Sequence, residues 1–252
     1  MSQQAIDSLL KEERRFDPPH RFAEKAHIGL REEYDKLYRE SLESPDAFWR
    51  REARDLVFRK KWSTTFEWEL PHARWFADAQ LNITESCLDR HLTGLRKNKA
   101  AIIWEGEPGD QRTVTYAQLH RETEGLARAL RKLGVQKGDR VAIYMGMVPE
   151  IAVAMLACAR VGAVHTVVFG GFAPDALRER IADSAAKLVI TQDAGWRRGQ
   201  VLPLKEVVDK AIKDDSSVQK VIVLRRLGEK SGAQMKSGRD HYWDEIVEQS
   251  AD

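Results

Sequence analysis

HTVVFGGFAPDAL, His165 to Leu177, is the stretch that decides the fold. An apolar, β-branched run from Val164 to Phe169 meets the pair Gly170 and Gly171, and Pro174 with Asp175 then signals a helix start. Strand, tight turn and helix N-terminus in that order predict a βα unit of an open parallel sheet. Such turns lie at the carboxyl ends of the strands, where ligands bind, and the free N–H groups of the helix favour an anion. Two readings stay open at this point: a turn that needs glycine for its backbone angles, and one that lets a ligand approach the backbone.

The same rhythm surrounds it. Ala101 to Trp104 reads as a short strand and Thr113-Val114 as a second, ending at Thr115. Thr115 and Gln118 have capping-box spacing and open a helix with Leu119, Leu126, Leu130 and Leu133 on one face, closed by Gly134. Arg140 to Met145 is a buried strand, Pro149 starts an apolar helix reaching Val161, and residues 174–184 form the next helix. Strand Lys187–Thr191, a loop, a helix near Leu204–Ile212 and strand Gln219–Leu224 follow. Beyond a polar loop from Leu227 to Arg239, a short amphipathic helix, His241–Glu248, closes the sequence without a further strand. Strands alternating with helices imply a mostly parallel sheet covered on both faces.

Residues 1–100 lack that alternation and read as a helical and irregular N-terminal cap before the α/β part, residues 101–252. Glu24–Leu42 is helical and highly charged, Ser44-Pro45-Asp46 opens another helix, and Leu81–Leu95 reads as a third. Trp49, Trp62, Trp68 and Trp75 lie among four phenylalanines. No basic stripe accompanies these rings, so packing is a better reading than stacking on nucleic acid. His91 reads as a packed or capping side chain.

The 41 basic and 39 acidic side chains leave a formal charge of +2, so no global field recruits nucleic acid or an anionic membrane, and any anion site must be local. Cys87 and Cys158 stand in no metal-binding or CxxC spacing, which suits a reducing, cytoplasmic compartment. The N-terminus MSQQAIDSLLKEERRF carries acidic residues and lacks a long apolar core and a small-residue cleavage site, unlike a secretion signal. No stretch reaches the roughly 18 apolar residues of a membrane helix.

Neither GxGxxG, a Walker-type loop, GxSxG nor HExxH occurs; SGAQMKSGR, Ser231 to Arg239, imitates a phosphate loop by composition only. The local cationic cluster is DAGWRRGQ, Asp193 to Gln200, on the same sheet edge as Gly170 and Gly171. Adjacent arginines in a glycine-bearing βα loop suit phosphate through paired, charge-assisted hydrogen bonds, and they also suit a solvated surface.

LNITESCLDRHL, RTVTYAQLH, GVQKGDRVAIYMGMVPEIAVAMLACARVGAVHTVVFGGFAPDALRERI and the DAGWRRG loop together resemble the N-terminal part of the AMP-forming acetyl-coenzyme A synthetases, over about Glu33 to Leu224. The resemblance implies the adenylate-forming fold, here truncated: a cap followed by the first, incomplete α/β subdomain. It implies a ligase that makes acetyl-adenylate and pyrophosphate from acetate and ATP, with Mg2+ in the complete enzyme, before the thiol of coenzyme A attacks the mixed anhydride. It places the nucleotide part of coenzyme A at Phe169, Gly170 and Gly171, and at the loop Arg197, Arg198, Gly199 and Gln200, with Arg197 directed at the nucleotide phosphate. Gln200 departs from that pattern, where a basic residue is usual. A neutral amide donates a hydrogen bond but adds no charge, so the resemblance implies either weaker phosphate binding or support from Arg198 instead.

The family's phosphate loop, acyl pocket, adenine site and mobile C-terminal domain have no counterpart in residues 1–252. The resemblance therefore implies an N-terminal fragment, catalytically inert alone, whose partner is the missing C-terminal part of the same enzyme. No catalytic residue and no metal ligand is expected within it. With the acyl pocket absent, a propionyl- or acetoacetyl-CoA ligase is an alternative, and so is a non-catalytic nucleotide-binding module.

Overall fold

The computed structural model describes residues 16–212 and 217–251. Residues 1–15, most of the segment read as unlike a secretion signal, lie outside the described residues. The chain divides into two compact units, residues 1–55 with 62–78, and residues 56–61 with 79–252.

The smaller unit contains helices α1 (His20–Ala23), α2 (Arg31–Glu43) and α3 (Pro45–Glu52) and an antiparallel hairpin of β1 (Thr64–Glu69) and β2 (His72–Ala77). Glu33 reaches back to accept from the backbone N–H groups of Gly29 and Leu30, satisfying donors that the first turn of α2 leaves free. Pro45 occupies the first turn of α3, where a missing N–H costs nothing. Phe66 and Trp75 face each other across the hairpin with ring centroids 4.3 Å apart, and Trp49 meets Trp75 edge-on at 5.5 Å. The tryptophan-rich stretch thus packs upon itself.

The larger unit carries, in order, α4 (Ile83–Cys87), the hairpin strands β3 (Ala100–Glu105) and β4 (Gln111–Thr115), α5 (Tyr116–Lys132), β5 (Arg140–Met145), α6 (Pro149–Val161), β6 (Val164–Phe169), α7 (Pro174–Ser184) and β7 (Leu188–Gln192). The short hairpin β8 (Gly195–Arg197) and β9 (Gln200–Leu202), α8 (Leu204–Ala211), β10 (Lys220–Leu224), β11 (Asp240–Tyr242) and α9 (Trp243–Glu248) complete it. The expected capping box opens α5: Gln118 N–H donates to the Thr115 hydroxyl at 3.2 Å, and Thr115 N–H to the Gln118 side chain at 2.8 Å. Gly162, in the left-handed region at φ +78°, ends α6.

A five-stranded sheet runs β6-β5-β7-β10-β11, parallel throughout. Alternation along its strands divides two cores. Val141, Ile143 and Met145 of β5, with Ile190 and Ile222, pack under α5 and α6 on one face. Ala142 and Tyr144, with Val189, Val221 and Val223, pack under α7 and α8 on the other. Cover on both faces is why the inner strands β5, β7 and β10 read as nearly unbroken apolar runs.

Two expectations are corrected. Leu81–Leu95 is not one helix: α4 stops at Cys87, and single 3-10 turns follow at Asp89–His91 and Leu95–Asn98. Asn82 caps α4 and also donates to the carbonyls of Ala159 and Arg160 at the end of α6, while the Asp89 carboxylate takes both terminal nitrogens of Arg160 at 2.7 and 3.0 Å. These tertiary bonds pull the chain out of helical register at Leu88, whose side chain is buried. The predicted final helix, His241–Glu248, begins instead at Trp243, and the residues before it form a fifth strand, β11, paired parallel to β10.

Candidate functional site

β5 is the first strand of the parallel sheet in chain order, and its neighbours are the second and third, β6 and β7. The chain leaves β5 for α6 on one face and leaves β7 for α8 on the other. The loops after β5 and β7 therefore diverge, and a crevice opens between them at the strands' carboxyl ends, as such reversals of strand order require. A cavity of about 280 Å3 lies there, lined by Met145–Val148, Phe169–Gly171, Gln192 and Gly195–Arg197 among others.

Its floor is stapled by Gln192 at the end of β7. This buried side chain accepts from Gly146 N–H at 2.9 Å and donates to the Ala194 carbonyl at 2.7 Å, so one amide joins the two diverging loops. Gly195 leaves room for it, since a Cβ there would come within 2.6 Å of the Gln192 amide nitrogen. Tyr144, buried on β5, donates its hydroxyl to the Phe172 carbonyl at 2.8 Å. Burial raises its phenol above the usual range, so it remains a donor and ties down the turn after β6.

In that turn neither Gly170 nor Gly171 has a positive φ. Close approach is what requires them. A Cβ on Gly170 would lie 2.6 Å from the Met145 carbonyl oxygen, against the backbone of β5. A Cβ on Gly171 would lie 1.9 Å from a guanidinium nitrogen of Arg197 and 2.8 Å from the Phe169 ring. The space above the second glycine is thus filled by the arginine, whose guanidinium carbon is 4.7 Å from the centroid of Phe169. Phe169, Gly170, Gly171 and Arg197, flagged separately from the sequence, form one wall.

Arg198, Gly199 and Gln200 do not line the cavity; they form an exposed turn at its rim. Arg197 pairs with Gln200 across β8 and β9, and Arg198 at φ +53° with Gly199 at φ +73° make the two-residue turn, both in the left-handed region that such hairpins demand. Sequence alone marks this segment only as a loop, because two three-residue strands are too short to show alternation. The Gly199 N–H points to another turn altogether and donates to the Glu107 carboxylate, from the loop between β3 and β4.

Two further wall residues were not anticipated. Trp104 at the end of β3 donates its indole N–H to the Met147 carbonyl at 2.7 Å. Arg226 lies with its guanidinium carbon 5.2 Å from the Trp104 ring centroid and pairs with Asp110 at 2.6 Å. The loop carrying Arg226 is held by the buried Asp193 carboxylate, which accepts from the backbone N–H groups of Arg226, Leu227 and Gly228 at 2.9, 3.1 and 2.7 Å. Asp193 was legible only as the start of the arginine loop. Together the walls offer aromatic faces and two guanidinium groups, a surface for a flat, anionic ligand.

The family model described as AMP-binding enzyme matches residues 89–251, and the one described as Acetyl-coenzyme A synthetase N-terminus matches residues 34–87. The acetyl-coenzyme A synthetase of Gemmatimonas aurantiaca is 50% identical over 249 residues, covering 97% of this chain and 37% of that protein. That of Chlorobaculum tepidum is 48% identical over 246 residues, with 98% and 37% covered. Among solved structures, the acetoacetyl-CoA synthetase from Streptomyces lividans superposes with a TM-score of 0.78 at 27% identity, over 90% of this chain and 35% of that one. The chain spans little more than a third of the length of these relatives.

Proposed function

The chain belongs to the AMP-binding enzyme family, and from that premise we propose that it forms the coenzyme-A-side part of an acetate–CoA ligase. In the reaction proposed for the whole enzyme, an acetate oxygen attacks the α-phosphate of ATP, giving acetyl-adenylate and pyrophosphate. The thiol of coenzyme A then attacks the acetyl carbon, and AMP leaves with the bonding electron pair. This chain's share is to hold the nucleotide end of coenzyme A at the switch-point cavity, with the FGG turn and the arginine hairpin as its walls.

The observation that carries this reading is the stack of Arg197 on Phe169 above Gly171. Restrained by the ring, the guanidinium is orientated before a phosphate arrives, so less conformational entropy is lost on binding. The aromatic face of Phe169 beside it suits a purine. Identities of 48–50% to acetyl-CoA synthetases support acetate as the acyl group. Acetoacetate is the second reading, supported by the likeness to the Streptomyces lividans enzyme at the lower identity of 27%.

A cytoplasmic setting fits this chemistry. No described helix is long and apolar enough to cross a membrane, and both cysteines are free thiols. Among the described residues no group of three or more His, Cys, Asp or Glu side chains is placed to hold a metal ion, and the Mg2+ implied for the complete enzyme is assigned no residue here. The partner proposed is the remainder of the same enzyme.

Calorimetric titration with coenzyme A and with ATP tests the assignment. Coenzyme A should bind the more tightly, and Arg197→Ala should weaken it about tenfold, the loss of one hydrogen bond to a charged group. Tighter binding of ATP, or an Arg197→Ala titration identical to that of the parent chain, would overturn it. Acetate-dependent pyrophosphate release by this chain alone is expected to be nil.

A further inference from the structure

Glu107 reaches across to the arginine hairpin. Its carboxylate accepts the main-chain N–H of Gly199, in the middle of the loop Arg197–Gln200, and Glu107 and Arg197 line the same cavity. The carboxylate is delivered by a tight turn. Gly106 N–H donates to the Asp110 carbonyl at 2.7 Å and Gly109 N–H to the Gly106 carbonyl at 2.8 Å. Gly109 adopts φ +90°, and a Cβ on Gly106 would meet both Asp110 and the Trp104 ring. This backbone places Glu107 at the rim, while among the described residues no Lys, Arg or His nitrogen lies within ion-pairing distance of it.

An N–H directed at one carboxylate oxygen cannot serve a phosphate oxygen at the same time, and a carboxylate beside a phosphate repels it. Glu107 thus does two things to an incoming phosphate: it occupies a donor of the arginine turn, and it offsets part of the field of Arg197 and Arg198. Gln200, which brings no charge of its own, leaves that offset uncorrected within the hairpin.

We propose that Glu107 is a specificity-determining residue of the coenzyme A site, an internal anion that a ligand phosphate must displace from Gly199. This rests on the coenzyme A reading above. Glu107 sets how much negative charge at the rim is tolerated, and it couples ligand entry to separation of the two hairpin tips, β3–β4 and β8–β9.

The test is coenzyme A titration of the whole chain and of Glu107→Gln and Glu107→Ala, at low and at high salt. Glu107→Gln, which removes the charge but can still accept the N–H, should tighten binding about fivefold at low ionic strength, and the gain should vanish once salt screens the rim. Glu107→Ala, which also frees the N–H, should tighten it at least as much and keep part of the gain in salt. Unchanged or weaker binding in both variants, or a gain in Glu107→Gln that salt does not diminish, overturns the proposal and leaves the coenzyme A site standing. A parent chain and variants that all fail to bind coenzyme A overturn both.

Discussion

Gly170 and Gly171 are adjacent, yet they answer to different neighbours, and the difference can be measured. A methyl group at Gly170 meets the carbonyl of Met145, a backbone atom of the central sheet that cannot yield. Gly170→Ala should cost about 1–3 kcal/mol, as overpacking does, and show as a lowered thermal midpoint. A methyl group at Gly171 meets side chains only, the end of Arg197 and the edge of the half-exposed Phe169 ring, and both can swing away from it. Gly171→Ala should therefore melt close to the parent chain while losing about as much coenzyme A affinity as Arg197→Ala; equal melting losses in both variants would refute the distinction. The two cysteines divide in the same manner. Burial pushes the Cys158 thiol up to about 12, whereas Cys87 is exposed. The thiolate is the reactive form, so at pH 8 an aromatic disulfide reagent should titrate one thiol in the native chain and two after denaturation. Two fast thiols in the native chain would show that α6 opens.

Among the elements, β11 depends most on charge. Lys205, fully buried on α8, places its Nζ 2.8 Å from both Asp209 and Asp240 and 2.9 Å from the Gln234 carbonyl, while Arg239 pairs with the same two carboxylates at 2.5 Å. Burial alone would raise Asp240, but hydrogen bonds from Arg239 and Lys205 outweigh it and hold its carboxyl below the usual range. A carboxyl with a folded pKa below its unfolded value of about 3.9 stabilises above that value, and the stabilisation is lost as pH falls through the folded pKa. Amide exchange at Asp240–Tyr242 should accelerate below about pH 4 before β5 and β7 respond, and Lys205→Met, which leaves Asp209 and Asp240 to Arg239 alone, should cost about 1.5–3 kcal/mol. Exchange at β11 that stays level with β7 in acid would deny the network that role. The same dependence explains why β11 was illegible. Asp240-His241-Tyr242 is polar, and its partner Lys205 lies 35 residues away, so no local pattern marks a strand. β5, β6, α6 and α7 were legible to the residue because β-branched or apolar runs stop at Pro149, Gly162 and Pro174. Phe169 and Arg197 were each visible as candidates, but their contact is a product of strand order. Trp104, Glu107 and Arg226 belong to hairpins and loops whose meeting at one cavity no single stretch of sequence records.

Across the larger unit, the sheet ends at β6, which pairs with β5 and with no other described strand. Its outer side has no strand partner, with only the Phe169 carbonyl taken up, by Phe172 N–H at 3.0 Å, and Val164, Val167 and Phe169 on it are 57%, 44% and 53% exposed. A free, apolar edge strand without proline or lysine is a template for pairing with another chain, and none of the usual blocking devices stands on β6. Light scattering should therefore show this 252-residue chain associating as its concentration rises. Val167→Lys should keep it monomeric, and because Val167 does not line the cavity, coenzyme A affinity should be unchanged. Phe169 has both roles, since its ring is part of the exposed edge and of the cavity wall. If association covers that ring, saturating coenzyme A must favour the monomer by mass action, because ligand and second chain compete for one surface. If the ligand leaves the association curve where it was, the contact lies elsewhere than the β6 edge. A curve that stays monomeric for the parent chain at every concentration would show that twist or side-chain cover already protects the strand.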